Sequence, residues 1–315
     1  MSSLGRPSLL AAAKAGELIW PYAEVLLVLV AAGAAVAVPG PGRWLAGRHG
    51  VDVALAALVA ATGVGLPEGA WAALRPNRGR LALTLAVSAI VLPPLAWLSS
   101  RLVGATTLRH GILSLGVAPV EVASVAAVTV AGGDAALAGG LLVGSTLLSV
   151  VVAGPILALM AGGGGAHPEA VIVNLVVVVA MPLILGLALR RWLPRGWAHS
   201  RVLRAAPVAL VTILVWLVAS QVVVTSAYIA VLGAAAVFVV ASTALGTGLK
   251  RGMAPPAGSA VVLTTSMRDF AIAAGIATAS FGAASAGPLG IYGVLVIVWG
   301  MAVAAFLRRR GAARP

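Results

Sequence analysis

Ten apolar runs, separated by short stretches that hold most of the charges, divide this chain. They fall near 18–38, 51–66, 81–100, 110–131, 135–159, 170–190, 205–225, 227–248, 257–280 and 286–307. The runs are rich in Ala, Leu, Val and Gly and show no two-residue alternation of polarity. Runs of this length predict helices that cross a hydrocarbon core about 30 Å thick rather than strands of a barrel. Pro and Gly inside the runs do not exclude helices, because neighbouring helices can satisfy the backbone groups they free. The longest expected loops lie near 39–50, 67–80, 160–169 and 191–204, so no sizeable soluble domain is expected on either side.

Composition agrees with this picture. Of 315 residues, 61% are apolar and 9% charged, and mean hydropathy is +1.09. A soluble domain carries roughly 25% charged residues. Cysteine is absent, which excludes disulfides and thiolate metal sites and leaves the redox compartment open. A net charge of +13 could mean a nucleic-acid partner, but its distribution points to the bilayer instead. Sixteen of the 21 Lys and Arg residues fall on the side of the N-terminus: Arg6, Lys14, Arg75, Arg78, Arg80, Arg190, Arg191, Arg195, Arg201, Arg204, Lys250, Arg251, Arg308, Arg309, Arg310 and Arg314. Four (Arg43, Arg48, Arg101 and Arg109) fall on the other side, and Arg268 lies within a span. The positive-inside bias therefore predicts a multi-pass protein of the plasma (inner) membrane with both termini cytoplasmic. An even number of spans, as counted, is what that requires. A signal peptide over the first run is disfavoured by Trp20-Pro21 and Glu24 within it.

The Gly162-Gly163-Gly164-Gly165 stretch divides five spans from five, so the second half would start on the opposite face of the membrane. That is the arrangement of an inverted-topology repeat, with 1–160 as one unit and 168–310 as the other. Weak internal similarity supports it. Glu121, Ala123 and Ala126 in the fourth span match Asp269, Ala271 and Ala274 in the ninth, at the same offsets.

Charge inside a span is costly, roughly 2.5–3.5 kcal/mol at the centre even on the lenient insertion scale. Glu24 lies near the end of the first span, where an interfacial carboxylate is an adequate reading. Glu121 lies mid-span beside Pro119, which removes an amide and crowds the preceding turn. Thr264, Thr265, Ser266, Arg268 and Asp269 form a second polar run in the ninth span. One reading is an ion pair, Glu121–Arg268 or Arg268–Asp269, that only locks helices together. The functional reading is that spans four and nine are broken helices crossing near the midplane. Their half-helix ends would then offer partial charges to ions and to substrate.

At these residues the chain resembles the bile acid:sodium symporter family over nearly its whole length. The resemblance is carried by Gly63-Val64-Gly65-Leu66 with the amphipathic stretch after it, by Leu92-Pro93-Pro94-Leu95-Ala96, and by Ala118-Pro119-Val120-Glu121-Val122-Ala123-Ser124 continuing to Gly133-Asp134. The last looks like the family's Cys-Pro-Gly-Gly-Thr-Ala-Ser-Asn…Gly-Asp signature. Thr264 to Asp269 looks like its Glu-x-Gly-Met-Gln-Asn segment, with Met267 matching. Arg268-Asp269-Phe270 is also similar to the Arg-Asn-Phe of arsenite efflux carriers, a close alternative. The resemblance implies ten helices in a panel domain (spans 1, 2, 6 and 7) and a core domain (spans 3–5 and 8–10), one moving against the other. It places substrate or ion binding at Pro119, Glu121, Val122, Ser124, Thr264, Thr265, Ser266, Arg268 and Asp269, and a sodium site at Ser124 and Thr264. The sodium ligands are altered, however. Val125 stands at the Asn position, Thr264 at the Glu, Arg268 at the Gln and Asp269 at the Asn.

The expected function is therefore a secondary active carrier of a small organic anion working by alternating access, with no cofactor. Sodium coupling is disfavoured. The expectation is that Arg268 takes the electrostatic place of a cation while Glu121 or Asp269 exchanges a proton, or that transport is uncoupled. Substrate anions are expected near the half-helix N-termini beyond Glu121 and Asp269. An enzyme is not expected. His49, His110, His167 and His199 lie in loops or at span ends, and no catalytic triad, P-loop or dinucleotide pattern occurs. Two inverted halves around one polar site favour a carrier over a channel.

Overall fold

A computed structural model describes residues 25–66, 78–162, 168–194, 201–223 and 225–312. Glu24, Gly163, Gly164, Gly165, His167 and His199 lie outside the described residues, as do Arg6, Lys14, Arg75, Arg195 and Arg314. Of the described residues, 84% are helical. Among the described residues five helices are long and apolar enough to cross a bilayer. We label these α4 (Arg78–Ser100), α7 (Ala135–Met160), α8 (Pro168–Trp192), α10 (Ala227–Leu249) and α13 (Gly287–Ala312). The shortest, at 23 residues, extends about 35 Å at 1.5 Å per residue, more than the hydrocarbon thickness. The protein is a multi-pass helical membrane protein.

Shorter helices fill the remaining runs. These are α1 (Val25–Ala37), α3 (Gly50–Gly65), α5 (Thr106–Ser114), α6 (Ala123–Val130), α9 (Arg201–Ala219), α11 (Pro255–Ser266) and α12 (Phe270–Phe281). A correction concerns 39–50, expected as a loop from Pro39-Gly40-Pro41-Gly42. It contains helix α2 (Pro39–Ala46), bent 95° from α1. Pro is pre-organised for the first turn of a helix, where its missing N–H has no bond to lose, so the same residues that end α1 begin α2. Arg43 anchors this corner, donating from Nε to the Ser220 carbonyl (2.8 Å) and from Nη2 to the Val222 carbonyl (3.2 Å) at the end of α9.

The outward surface is apolar: Ile90, Val151, Leu159 and Ile229 are each more than 65% exposed. In water this would be an aggregation surface, whereas in lipid it is the expected exterior. Guanidinium groups stack on aromatic rings at helix ends, Arg101 on Trp97 and Arg310 on Phe306, as amphipathic anchors do at a membrane interface.

Helix α3 packs against α8 and α9. Close approach there depends on glycine, since a Cβ at Gly63 would lie 2.8 Å from the Leu183 carbonyl oxygen. Without water to drive apolar association, such backbone proximity is what holds membrane helices together. The broken segments pair crosswise. Helix α5 packs on α12 and α6 on α11, with α7 and α13 alongside. The two breaks, 115–122 and 267–269, therefore meet at the middle of the helical bundle.

Candidate functional site

The site is built from backbone first. At the two breaks the helical hydrogen-bond ladder is lost, and buried amides need other partners. Val120 and Arg268 form an antiparallel bridge. Glu121 N donates to the Met267 carbonyl (3.0 Å), and Asp269 N donates to the Pro119 carbonyl (2.9 Å). The pattern is reciprocal about Val120 and Arg268. The amides of those two central residues are bonded by hydroxyls from neighbouring helices. Val120 N donates to Ser145 Oγ of α7 (3.0 Å), and Arg268 N donates to the Tyr292 hydroxyl of α13 (3.1 Å).

The carboxylates close the other ends. Asp269 is the N-cap of α12, where its Oδ1 accepts from Ala271 N (2.9 Å) and Ile272 N (2.8 Å). Glu121 accepts at Oε1 from Ala123 N (3.4 Å) at the start of α6. Its Oε2 accepts from Phe270 N (3.3 Å) at the start of α12. Each carboxylate thus bonds the amide two residues on, at the offset that pairs Glu121 with Asp269 in sequence. Negative charge suits these positions, because a helix N-terminus carries about half a positive elementary charge. The half-helix N-termini are therefore occupied by side chains of the protein itself, which bears on where a substrate anion can sit.

Arg268 is directed the other way. Its Nη2 donates to the Ala118 carbonyl in the fourth-span break, while its Nε has no hydrogen-bond partner. The residue is 5% exposed. Glycines on α13 make room for its neighbours: a Cβ at Gly293 would lie 2.8 Å from the Phe270 ring, and one at Gly300 would collide with Met267 Sδ. In the other break, a Cβ at Gly116 would lie 2.7 Å from Pro93 Cα of α4.

Two cavities flank the crossing, with Val120 in the lining of both. One, of about 10 Å³, lies between α3, α7 and α8 and is lined by Thr62, Thr146, Val122, Leu183 and Asp269. Asp269 Oδ2 is buried without a hydrogen-bond partner. The other, of about 30 Å³, lies between α4, α7 and α11 and is lined by Thr264, Thr265 and Arg268 with several hydroxyls of α4 and α7.

The expected site residues separate accordingly. Pro119, Glu121, Arg268 and Asp269 form the crossing itself, and Val122 and Asp269 face one cavity while Thr264, Thr265 and Arg268 face the other. Ser266 is occupied in bracing, its Oγ bonded to the Leu263 carbonyl and its own carbonyl accepting from Ser242 Oγ. Ser124 is buried with no partner for its hydroxyl and is not in the lining of either cavity. The Ala118 carbonyl oxygen, which a cation could use, receives the Arg268 guanidinium, whose charge opposes a cation there; Thr264 Oγ1 donates to the Ala260 carbonyl (2.7 Å). Tyr292 and Ser145 were not anticipated. Each reads in sequence as one more polar residue in an apolar span, and only the freed amides opposite them mark their role.

A family model described as the Sodium Bile acid symporter family matches residues 53–232. The matched region contains the fourth-span break and ends before Arg268. No curated protein matches the chain.

Proposed function

Because the chain belongs to the sodium bile acid symporter family, and is thus a membrane transporter and not an enzyme, we propose that it carries a small organic anion together with a proton by alternating access. The observation that carries this reading is Asp269. One of its oxygens holds two amides, and the other is buried without a donor beside a small cavity. An anion arriving at that cavity meets a carboxylate and is repelled. Once Oδ2 binds a proton it becomes a donor, and the same position can hold the substrate's carboxylate. Proton and anion then enter together, and neither is favoured alone.

Arg268 supplies the positive charge that a bound cation would supply in a sodium-coupled carrier. A guanidinium cannot be released or deprotonated, so the charge is permanent and carries no coupling. Substrate is accordingly placed beside Asp269, between α3, α8 and α7, and not on the capped helix ends. Ten crossings, two inverted halves and a panel (spans 1, 2, 6 and 7) moving against a core are part of this proposal. It is supported by the reciprocal bonds about Val120 and Arg268 and by the matched hydroxyls of Ser145 and Tyr292. A location in the plasma (inner) membrane with cytoplasmic termini is supported by the Lys and Arg distribution.

A thermal-stability screen of the purified protein tests it, using monocarboxylates from acetate to taurocholate, at several pH values, with sodium or choline as the cation. The proposal expects at least one anion to stabilise more strongly at lower pH in both cations. Stabilisation that requires sodium and ignores pH overturns it.

A further inference from the structure

The two cavities lack opposite things. Beside Asp269 an acceptor has no donor, while beside Arg268 two donors have no acceptor. The lining of the Arg268 cavity includes six hydroxyl-bearing residues, Thr84, Ser88, Ser145, Ser149, Thr264 and Thr265. Four of these donate to backbone carbonyls: Thr84 to Arg80 (2.8 Å), Ser145 to Leu142 (3.0 Å), Ser149 to Val117 (2.7 Å) and Thr264 to Ala260 (2.7 Å). Thr265 Oγ1 and Arg268 Nε have no partner, although the residues are only 1% and 5% exposed. Buried donors are normally satisfied, and an unsatisfied one on a charged group is the costliest kind. Neither Asp nor Glu lines the cavity.

A second, larger cavity of about 80 Å³ adjoins it, sharing Thr84 and lined by Arg80, Leu81, Leu137 and Met253. It too has no carboxylate in its lining. Arg80 is fixed there by a bond from Nη1 to the Gly252 carbonyl (2.6 Å). Each cavity of the pair thus has an arginine in its lining.

We infer that the Arg268 cavity binds a small inorganic monovalent anion of halide size, held by Arg268 Nε–H and the Thr265 hydroxyl and reached past Arg80. An anion accepts from both orphan donors at once, with no carboxylate in the cavity lining to repel it, whereas a cation would face a fixed positive group. About 30 Å³ is room for roughly two waters, a space suited to an ion of halide size. The site lies across Val120 from the cavity beneath Asp269, so it is a second ligand position whatever that one carries.

The test is thermal unfolding of the full-length protein in detergent as chloride replaces gluconate at constant ionic strength, with sodium or choline as cation. The wild type should gain stability saturably with chloride, to the same extent in both cations, and bromide and nitrate should substitute. Thr265→Val keeps the side-chain shape and removes one hydrogen bond to an ion, so half-saturation should rise by about tenfold. Arg268→Gln should abolish the response; if that variant does not fold, Thr265→Val decides alone. Equal stability in chloride and gluconate, an effect that follows sodium, or unchanged half-saturation in Thr265→Val overturns the inference.

Discussion

Replacing Glu121 should weaken the crossing in a graded way that depends on what the substitute retains. Its carboxylate accepts from Ala123 N at 3.4 Å and Phe270 N at 3.3 Å, joining the starts of α6 and α12. Both bonds are long, so each sits near the low end of the range for a charged acceptor, about 1.5 kcal/mol. Negative charge at two helix N-termini adds about 0.3–1 kcal/mol at each. Glu121→Ala loses both terms and leaves two buried amides bare, for a total of about 4 kcal/mol. Glu121→Gln keeps one acceptor oxygen but turns an NH2 toward an amide N–H and removes the charge, which gives about 2–3 kcal/mol. Glu121→Asp keeps the charge and can reach the amide two residues on, as Asp269 does. It falls short of Phe270, a loss of about 1.5 kcal/mol. At about 2–4 °C per kcal/mol for a chain of this size class, melting temperatures should fall in the order Asp, Gln, Ala, with Ala lower by about 10 °C. Tryptophan fluorescence during heating reads this directly, since the chain has eight Trp. An Ala variant melting within a degree or two of wild type would refute the assignment of Glu121 as the clamp between α6 and α12.

The reciprocal crossing makes a paired prediction: Ser145→Ala and Tyr292→Phe each strip the acceptor from one central amide. Each should cost about 1–3 kcal/mol, and unfolding should show losses of similar size. A Cys-free chain also makes orientation easy to measure. Single cysteines at Arg309 and Arg101 should label with a membrane-impermeant maleimide from opposite faces of sealed vesicles, and labelling from the same face would remove the inverted arrangement. Asp269→Asn should preserve substrate exchange but lose accumulation driven by a proton gradient, because its amide nitrogen mimics the protonated acid; retained gradient-driven accumulation would move the proton elsewhere.

Much of this was legible in sequence, because hydrocarbon punishes charge. Glu121, Arg268 and Asp269 stood out for that reason, and Pro119 marked the fourth-span break. The equivalence of Glu121 and Asp269 was also readable, from alanines at matching offsets. What could not be read were partners more than a hundred residues apart. The Ala118 carbonyl for Arg268 and the Phe270 amide for Glu121 are set by how the two breaks cross. Hydroxyls were ambiguous too: Ser145 and Tyr292 brace freed amides, whereas Thr212 and Ser99 only bond back to their own helices. The capping was not legible either: sequence offered the half-helix ends to a substrate anion, and the carboxylates of Glu121 and Asp269 already accept from the amides there. Helix α2 was hidden by Pro39 and Pro41, which read as loop punctuation until their place in a first turn is seen.

In the proposed cycle a proton at Asp269, and not sodium, accompanies the anion. Proteoliposomes loaded with a pH-sensitive dye and held in sodium-free choline buffer measure this most directly, when a monocarboxylate that stabilises the purified protein is added outside. Adding that anion should acidify the interior, an effect absent with Asp269→Asn and unaffected by sodium. Anion uptake that needs a sodium gradient and moves no protons would contradict it.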